Sequence, residues 1–469
     1  MNTKEIRDSK WLSVHGPNLS DNATGYFEIE ANELREKILS APNTEKLYEI
    51  SGKKYYFSSN GNDLNDGCSP ETPIKSLKLL ETLPLSVGDA VLFKRNSIYR
   101  VDEMINLHSG ITYGSFGTGE KPRFYASPRD YAVSNLWTLS DMENIWQTEF
   151  SYEEACGMFF DHGKAAGSLW RAGTDALKKN FDFHHDAEKG ILYLYFDKGN
   201  PADFFSSIEI TMKLHKMFRM GAVKDLVFDN ICIKYTGGFP IVGSGENITI
   251  TNCEIGYVGG LWSPIFKVKF GNAIELSQNV VNVRIENNWI YETFDTAITW
   301  QGGDDNAIYN NISFSNNLLE YNNADFEFFT SDNAKIDNFV MLNNIMRFTS
   351  MGWGTQEEEM GPRWIEGCIR ARTDNMEHIG SIEYKDNLMD CPARQVVSWR
   401  TIPENKKSFV AKGNKLHIKS SYRTTDMVLH GFSDDAEDTD TFYYANNEQE
   451  TIEVMKHFEN EMEIHWHNE

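Results

Sequence analysis

RIENNWIYETFDTAITW (284–300) is followed by SFSNNLLEYNNADFEFF (313–329) and by FVMLNNIMRF (339–348), and the three stretches share one plan. A short apolar run ends in Asn-Asn, and a second apolar strand begins at once. The pair, or a near relative, recurs as Asp229-Asn230 before ICI, Thr251-Asn252 before CEI, Asn287-Asn288 before WIY, Asn316-Asn317 before LLE and Asn343-Asn344 before IMR. It continues as Asp386-Asn387 before LMD and Gly413-Asn414 before KLH. The second members lie 22, 36, 29, 27, 43 and 27 residues apart. A period in the twenties, lengthened only by insertions, marks a solenoid whose units stack on one another. Asn suits a turn that needs left-handed backbone, and stacked Asn side chains hydrogen-bond between neighbouring coils. The expected fold is all-β: a right-handed, single-stranded parallel β-helix, with Asn288, Asn317 and Asn344 stacked at one corner.

Working outward, residues 1–54 read as an N-terminal cap segment. Its polar lead is followed by IEANELREKIL (29–39), an amphipathic helix ended before Pro42. An open solenoid end must be covered, and this helix is expected to lie over the first coil. Residues 55–417 read as the β-helix, interrupted from about 125 to 205 by aromatic strands with hairpin-like turns such as GILYLYFDKGNP (190–201). That interruption is expected to be an inserted β-rich subdomain. Residues 418–469 are acidic and read as a C-terminal cap, helical around TIEVMKHFEN (451–460).

The formal charge is −24, from 69 acidic residues against 45 Lys and Arg. Nucleic-acid backbones and anionic membranes are repelled by such a chain, so neither is an expected partner. Hydrophobic residues make up 40% of it, ample for a core. Six cysteines without close pairs suggest neither a disulfide framework nor a zinc site. MNTKEIRDSKWLSVHG (1–16) has no apolar h-region, and no run of eighteen apolar residues occurs, so the expected location is cytoplasmic, or secreted if an export signal was trimmed.

YYFSSNGNDLNDGCSPETPIKSL (55–77), GDAVLFKRNSIYR (88–100) and GITYGSFGTGEKP (110–122) resemble the opening coils of bacterial carbohydrate-active β-helix enzymes. These belong to the pectate-lyase-like superfold, and the nearest match is the lacto-N-biosidase type of glycoside hydrolase. The resemblance spans about residues 55–400. It implies a β-helix and carbohydrate chemistry, and an oligosaccharide as partner, but fixes no catalytic residue of this chain.

In a parallel β-helix one strand position recurs in successive coils about 4.8 Å apart. GNAIELS (271–277), DTAITWQ (295–301), ADFEFFT (324–330), GCIRART (367–373) and QVVSWRT (395–401) stack on that basis. Aligned on Ile274, Ile298, Phe326, Ile369 and Val397 as core residues, they put Glu275, Thr299, Glu327, Arg370 and Ser398 in one outward column. Glycosidases use two carboxylates, about 5–5.5 Å apart when retaining and about 6.5–9.5 Å apart when inverting. Glu275 and Glu327 form the wider candidate pair. Asp295, close to the Glu275 column, and Asp325, two residues before Glu327, offer shorter ones. The plain alternative for each is a solvated acid, and for Asp295 a turn residue.

GGDDN (302–306) is foremost a turn, with Asp304 as a further candidate acid or a calcium ligand. No metal or cofactor is expected. Sugar faces stack on aromatic rings, which nominates Trp300 with Gln301 beside it, Trp262 in YVGGLWSP (257–264), and Trp353 and Trp364 at the ends of GWGTQEEEMGPRW (352–364). Arg370 and Arg372 are expected to hold hydroxyls or a carboxylate, or simply to pair with Glu327. The leading reading is a glycoside hydrolase acting on a neutral or N-acetylated oligosaccharide. A polysaccharide lyase needs a base and a cation for the uronate, and Arg370 is the column's sole cation. A non-catalytic carbohydrate-binding β-helix is the third reading.

Overall fold

The computed structural model describes residues 23–263, 268–301, 306–329, 333–355, 367–372, 378–400, 409–431 and 441–468. Each regular coil has three strands. In one coil they are Trp289–Thr293, Thr296–Gln301 and Ile308–Ser315, and in the next Leu318–Glu320, Ala324–Phe329 and Lys335–Leu342. We call these the first, second and third faces. Every strand pairs in parallel with its counterpart one coil away, as Ile290 with Leu319, Ile298 with Phe326 and Ile312 with Phe339. The first face is a ten-stranded sheet running from Ile98–Arg100 to Glu463–His467. The chain is a parallel β-helix, filled by inward rows such as Ile274, Ile298, Phe326, Ile369 and Val397, all buried.

The corner between the third and first faces explains the Asn pairs. Asn287, Asn316 and Asn343 take left-handed backbone, with φ of 54°, 54° and 55°. The following Asn is fully buried and bonds along the stack. Asn317 Oδ1 accepts from Asn288 N at 3.0 Å and Asn288 Nδ2 at 3.1 Å. Asn317 Nδ2 donates to Asn344 Oδ1 and to the Ile285 carbonyl, both at 2.9 Å. The ladder runs on through Asn387 to Asn414, whose amide donates to Glu459 Oε2 at 2.7 Å.

The first two pairs stand one residue out of this register. Cys232 pairs with Glu254 and Glu254 with Trp289, so Ile231 and Cys253 occupy the ladder position. Asn230 and Asn252 hold only the left-handed place, at φ 62° and 53°. A second ladder escaped the sequence reading. Asn247, Asn282 and Asn311 bond in series on the exposed third face, at 2.9 and 2.7 Å.

The helix Glu28–Leu39 does not cover the first coil. It lies along the outside of the first face, where Ala31 and Ile38 pack on Leu318 and Ile345. Its apolar stripe is narrow, and charge places it instead. Arg35 reaches Glu320 at 2.7 Å, Arg347 pairs with Glu28 and Glu320, and the Tyr26 and Phe27 N–H groups donate to Asp390 at 3.0 and 3.2 Å.

Between Arg123–Tyr125 and Lys216–Asp229 the chain leaves the coils and builds two smaller sheets, one centred on Ile191–Tyr195 and the other on Ala155–Phe160. Near the far end, Met455 of the helix Glu448–Met455 and Phe458 just beyond it pack into the core. No helix among the described residues is long and apolar enough to cross a membrane.

Asn317→Ala strands two buried amide donors and two acceptors of the ladder. It should cost at least about 3 kcal/mol in chemical denaturation, because each orphaned buried group costs about 1–3 kcal/mol. Asn311→Ala, in the exposed ladder, should cost under about 1 kcal/mol.

Candidate active site

The second face aligns as the alternation requires. Glu275 lies opposite Thr299, Thr299 opposite Glu327, Glu327 opposite Arg370 and Arg370 opposite Ser398. His430 extends the row beyond Ser398. The sequence reading missed it because the stacked segments stopped at residue 401, one coil short.

Glu275 Oε2 accepts from Asn272 Nδ2 at 2.8 Å and from Gln301 Nε2 at 2.9 Å. Burial pushes its carboxyl above the ordinary range. The two amides pull it partly back, and the negative charge of Glu327 raises it again. Asn272 was not foreseen, and its signal lay in the strand-opening GNAIE. Glu327 is 5% exposed and is the anion of an ion pair, with Arg370 Nη1 3.0 Å from Oε1. Thr296 Oγ1 donates to its other oxygen at 3.3 Å. Thr299 stands in the row between the two acids, and its buried hydroxyl has no partner among the described residues. Further along, Ser398 Oγ and His430 Nδ1 are 2.9 Å apart, and the imidazole stacks on Phe442 at 4.3 Å.

Several expected residues sit elsewhere. Trp300 faces the core, fully buried between Phe328 and Phe339 with ring centroids 5.1 and 4.6 Å away. Side chains alternate along a strand, so an outward Thr299 forces Trp300 inward. Trp353 is buried against Phe159 and Phe294, and its indole donates to the Glu292 carbonyl at 2.7 Å. It joins one of the smaller sheets to the coils and is no groove residue.

Asp325 is completely buried. It accepts from Asn322 Nδ2 at 3.1 Å and from the Thr349 hydroxyl, and burial pushes its carboxyl well up. That is a turn-locking acid, closed to substrate. Asp295 is 5% exposed at the bend between the first and second faces, where its carbonyl accepts from Thr293 Oγ1 and Ala324 N, both at 3.0 Å. Trp262 is half-buried in a hairpin, Leu261–Ser263 against Val268–Phe270. Arg372 pairs in register with Phe329 and Arg400. Asp304 and Trp364 lie outside the described residues.

No family model matches the chain, and no curated protein matches it. Solved structures do. The lacto-N-biosidase of glycoside hydrolase family 136 from Eubacterium ramulus is 13% identical, with 88% of this chain and 68% of that one covered at a TM-score of 0.39. A rhamnogalacturonan lyase is 12% identical, with 75% and 83% covered at 0.38. XylC, solved with xylose, is 12% identical, with 78% and 84% covered at 0.36. Each of the three is a protein that this chain is similar to, at a TM-score below 0.5.

Trp300→Ala should cost about 3–5 kcal/mol in denaturant unfolding, the range for emptying an aromatic site in a packed core. A tryptophan that served only to stack on a ligand would lose little stability on the same change.

Proposed function

We propose that this chain is a glycoside hydrolase that cleaves a neutral or N-acetylated oligosaccharide, on coils that wind right-handedly as nearly all parallel crossovers do. The observation that carries the reading is the contrast between two acids on one face. Glu275 is held toward its protonated form, and Glu327 is the anion of an ion pair. A carboxyl held toward its protonated form suits the acid, and one beside a guanidinium suits the base.

In this scheme Glu275 protonates the glycosidic oxygen as its bond to the anomeric carbon breaks. Glu327 takes a proton from the water whose oxygen bonds to that carbon. One water is consumed, and solvent returns each acid to its starting state. The acids are two rungs apart, roughly 9–10 Å between backbones. Their side chains span the remainder into the inverting range of about 6.5–9.5 Å. Asn272 and Gln301 position Glu275 without touching the reacting atoms.

A second reading is favoured by His430. Were a uronate carboxylate to displace Glu327 from Arg370, the imidazole two rungs away would stand as the base that a lyase requires.

Glu275→Gln and Glu327→Gln should each lower turnover by a factor of about 10² or more, the contribution of one general acid or base. Near wild-type activity in both variants would refute the assignment. The product decides the reaction class: a new reducing end supports hydrolysis, and absorbance from a 4,5-unsaturated uronate supports the lyase. Turnover should survive exhaustive chelation, since the scheme uses no metal.

Activity should fall as pH rises through the raised value of Glu275, because the acid must carry its proton. Gln301→Leu removes a hydrogen bond that favours the ionised form, so it should move this alkaline limb to higher pH. A limb that stays put or moves down would argue that another group is the acid.

A further inference from the structure

A concavity of about 530 Å³ opens on the first face. It lies between the helix Glu28–Leu39, the turn at Gly163–Lys164 and the coils, and shares no residue with the Glu275 row. Lys234, Glu254 and Tyr291 line it. Lys234 Nζ is 2.6 Å from Glu254 Oε1, and the Tyr291 hydroxyl donates to the same oxygen at 2.9 Å.

Beside them stands Glu292, in an unusual place. At the bend after the first face, Tyr235, Tyr257, Glu292, Tyr321 and Phe348 all take left-handed backbone, with φ between 52° and 59°. Tyr235 stacks on Tyr257 at 5.4 Å and Tyr321 on Phe348 at 4.8 Å. One coil sets a carboxyl where its neighbours set a ring. Left-handed backbone is disfavoured for a side chain of this kind, and burial pushes the Glu292 pKa up to about 8. Seating the Trp353 N–H on Oε2, at 2.7 Å, needs only an acceptor, which glutamine supplies without a buried acid. At neutral pH Glu292 carries its proton and can donate it in a hydrogen bond.

Three of the four cations in the walls are engaged, and the fourth, Lys164, is exposed in its turn. Lys234 is paired with Glu254, and both Arg35 and Arg347 with Glu320. An anionic ligand finds these cations engaged. What remains are hydroxyl, carboxyl and amide groups among the edges of Trp289 and Tyr257, the surroundings that suit a neutral polyhydroxylated ring.

We propose that this cleft is a second carbohydrate site, which takes the end of a neutral glycan and binds its hydroxyls through Glu292, Glu254 and Lys234. The test uses the full chain carrying Glu275→Gln and Glu327→Gln, so that binding at the Glu275 row does not lead to turnover, on a printed array of neutral glycans. Binding should persist in this background. Adding Lys234→Met together with Glu254→Gln, which removes the ion pair without orphaning a charge, should weaken it by at least about tenfold. Binding should also fade as pH rises past about 8 with Glu292 present, where the donor proton is lost, and stay level in Glu292→Gln. The absence of array binding, or binding that ignores the double substitution, overturns the proposal. Should the double variant not fold by circular dichroism, the pH comparison decides alone, and identical profiles overturn it.

Discussion

Burying a chain bend leaves amide groups that neither flanking strand can satisfy, and such groups cost too much to leave unpaired. The Asn ladder answers that constraint. Within the ladder Asn317 makes two donor and two acceptor contacts, to the coil on either side and to the strand before it. The bend therefore costs little only where the coils are in step. A slip of one residue would face Asn with apolar neighbours and turn every strand's core residues outward. Register across the three faces of the coils from Asn288 onward follows from this one corner.

Register in turn builds the candidate site. With Ile274, Ile298 and Phe326 held inward, Glu275, Thr299 and Glu327 have no alternative but to share a line. The two acids meet different company in it, amides for one and a guanidinium for the other. The aromatic residues beneath them, Trp300 among Phe314, Phe326 and Phe339, give the strands a stiff floor.

The sequence revealed what repeats. Periodic Asn marked the coils, and two-residue alternation located Glu275 and Glu327 on one face. It concealed what happens only once. The shift of register at Asn230 and Asn252 is invisible because Asn serves both the left-handed position and the ladder. Trp300 was judged by composition beside a column whose own alternation sends it inward. Asp325 looks like Glu327 in a one-dimensional string, yet a partner from another turn, Thr349, closes it off. Trp353 needed knowledge of Phe159, nearly two hundred residues away. His430 follows the column rule, applied one coil further than the aligned segments reached.

A solenoid tends to fray one unit at a time, since each coil touches only its neighbours. The helix Glu28–Leu39 changes that here. Its Arg35 holds Glu320, its Glu28 holds Arg347, and the backbone just ahead of it holds Asp390, carboxylates and guanidinium drawn from three consecutive coils. It works as a splint laid across the stack. Those three coils cannot open singly without exposing charges that the splint keeps paired, so they are expected to open as one cooperative block, and slow amide hydrogen exchange should extend across them at a common rate.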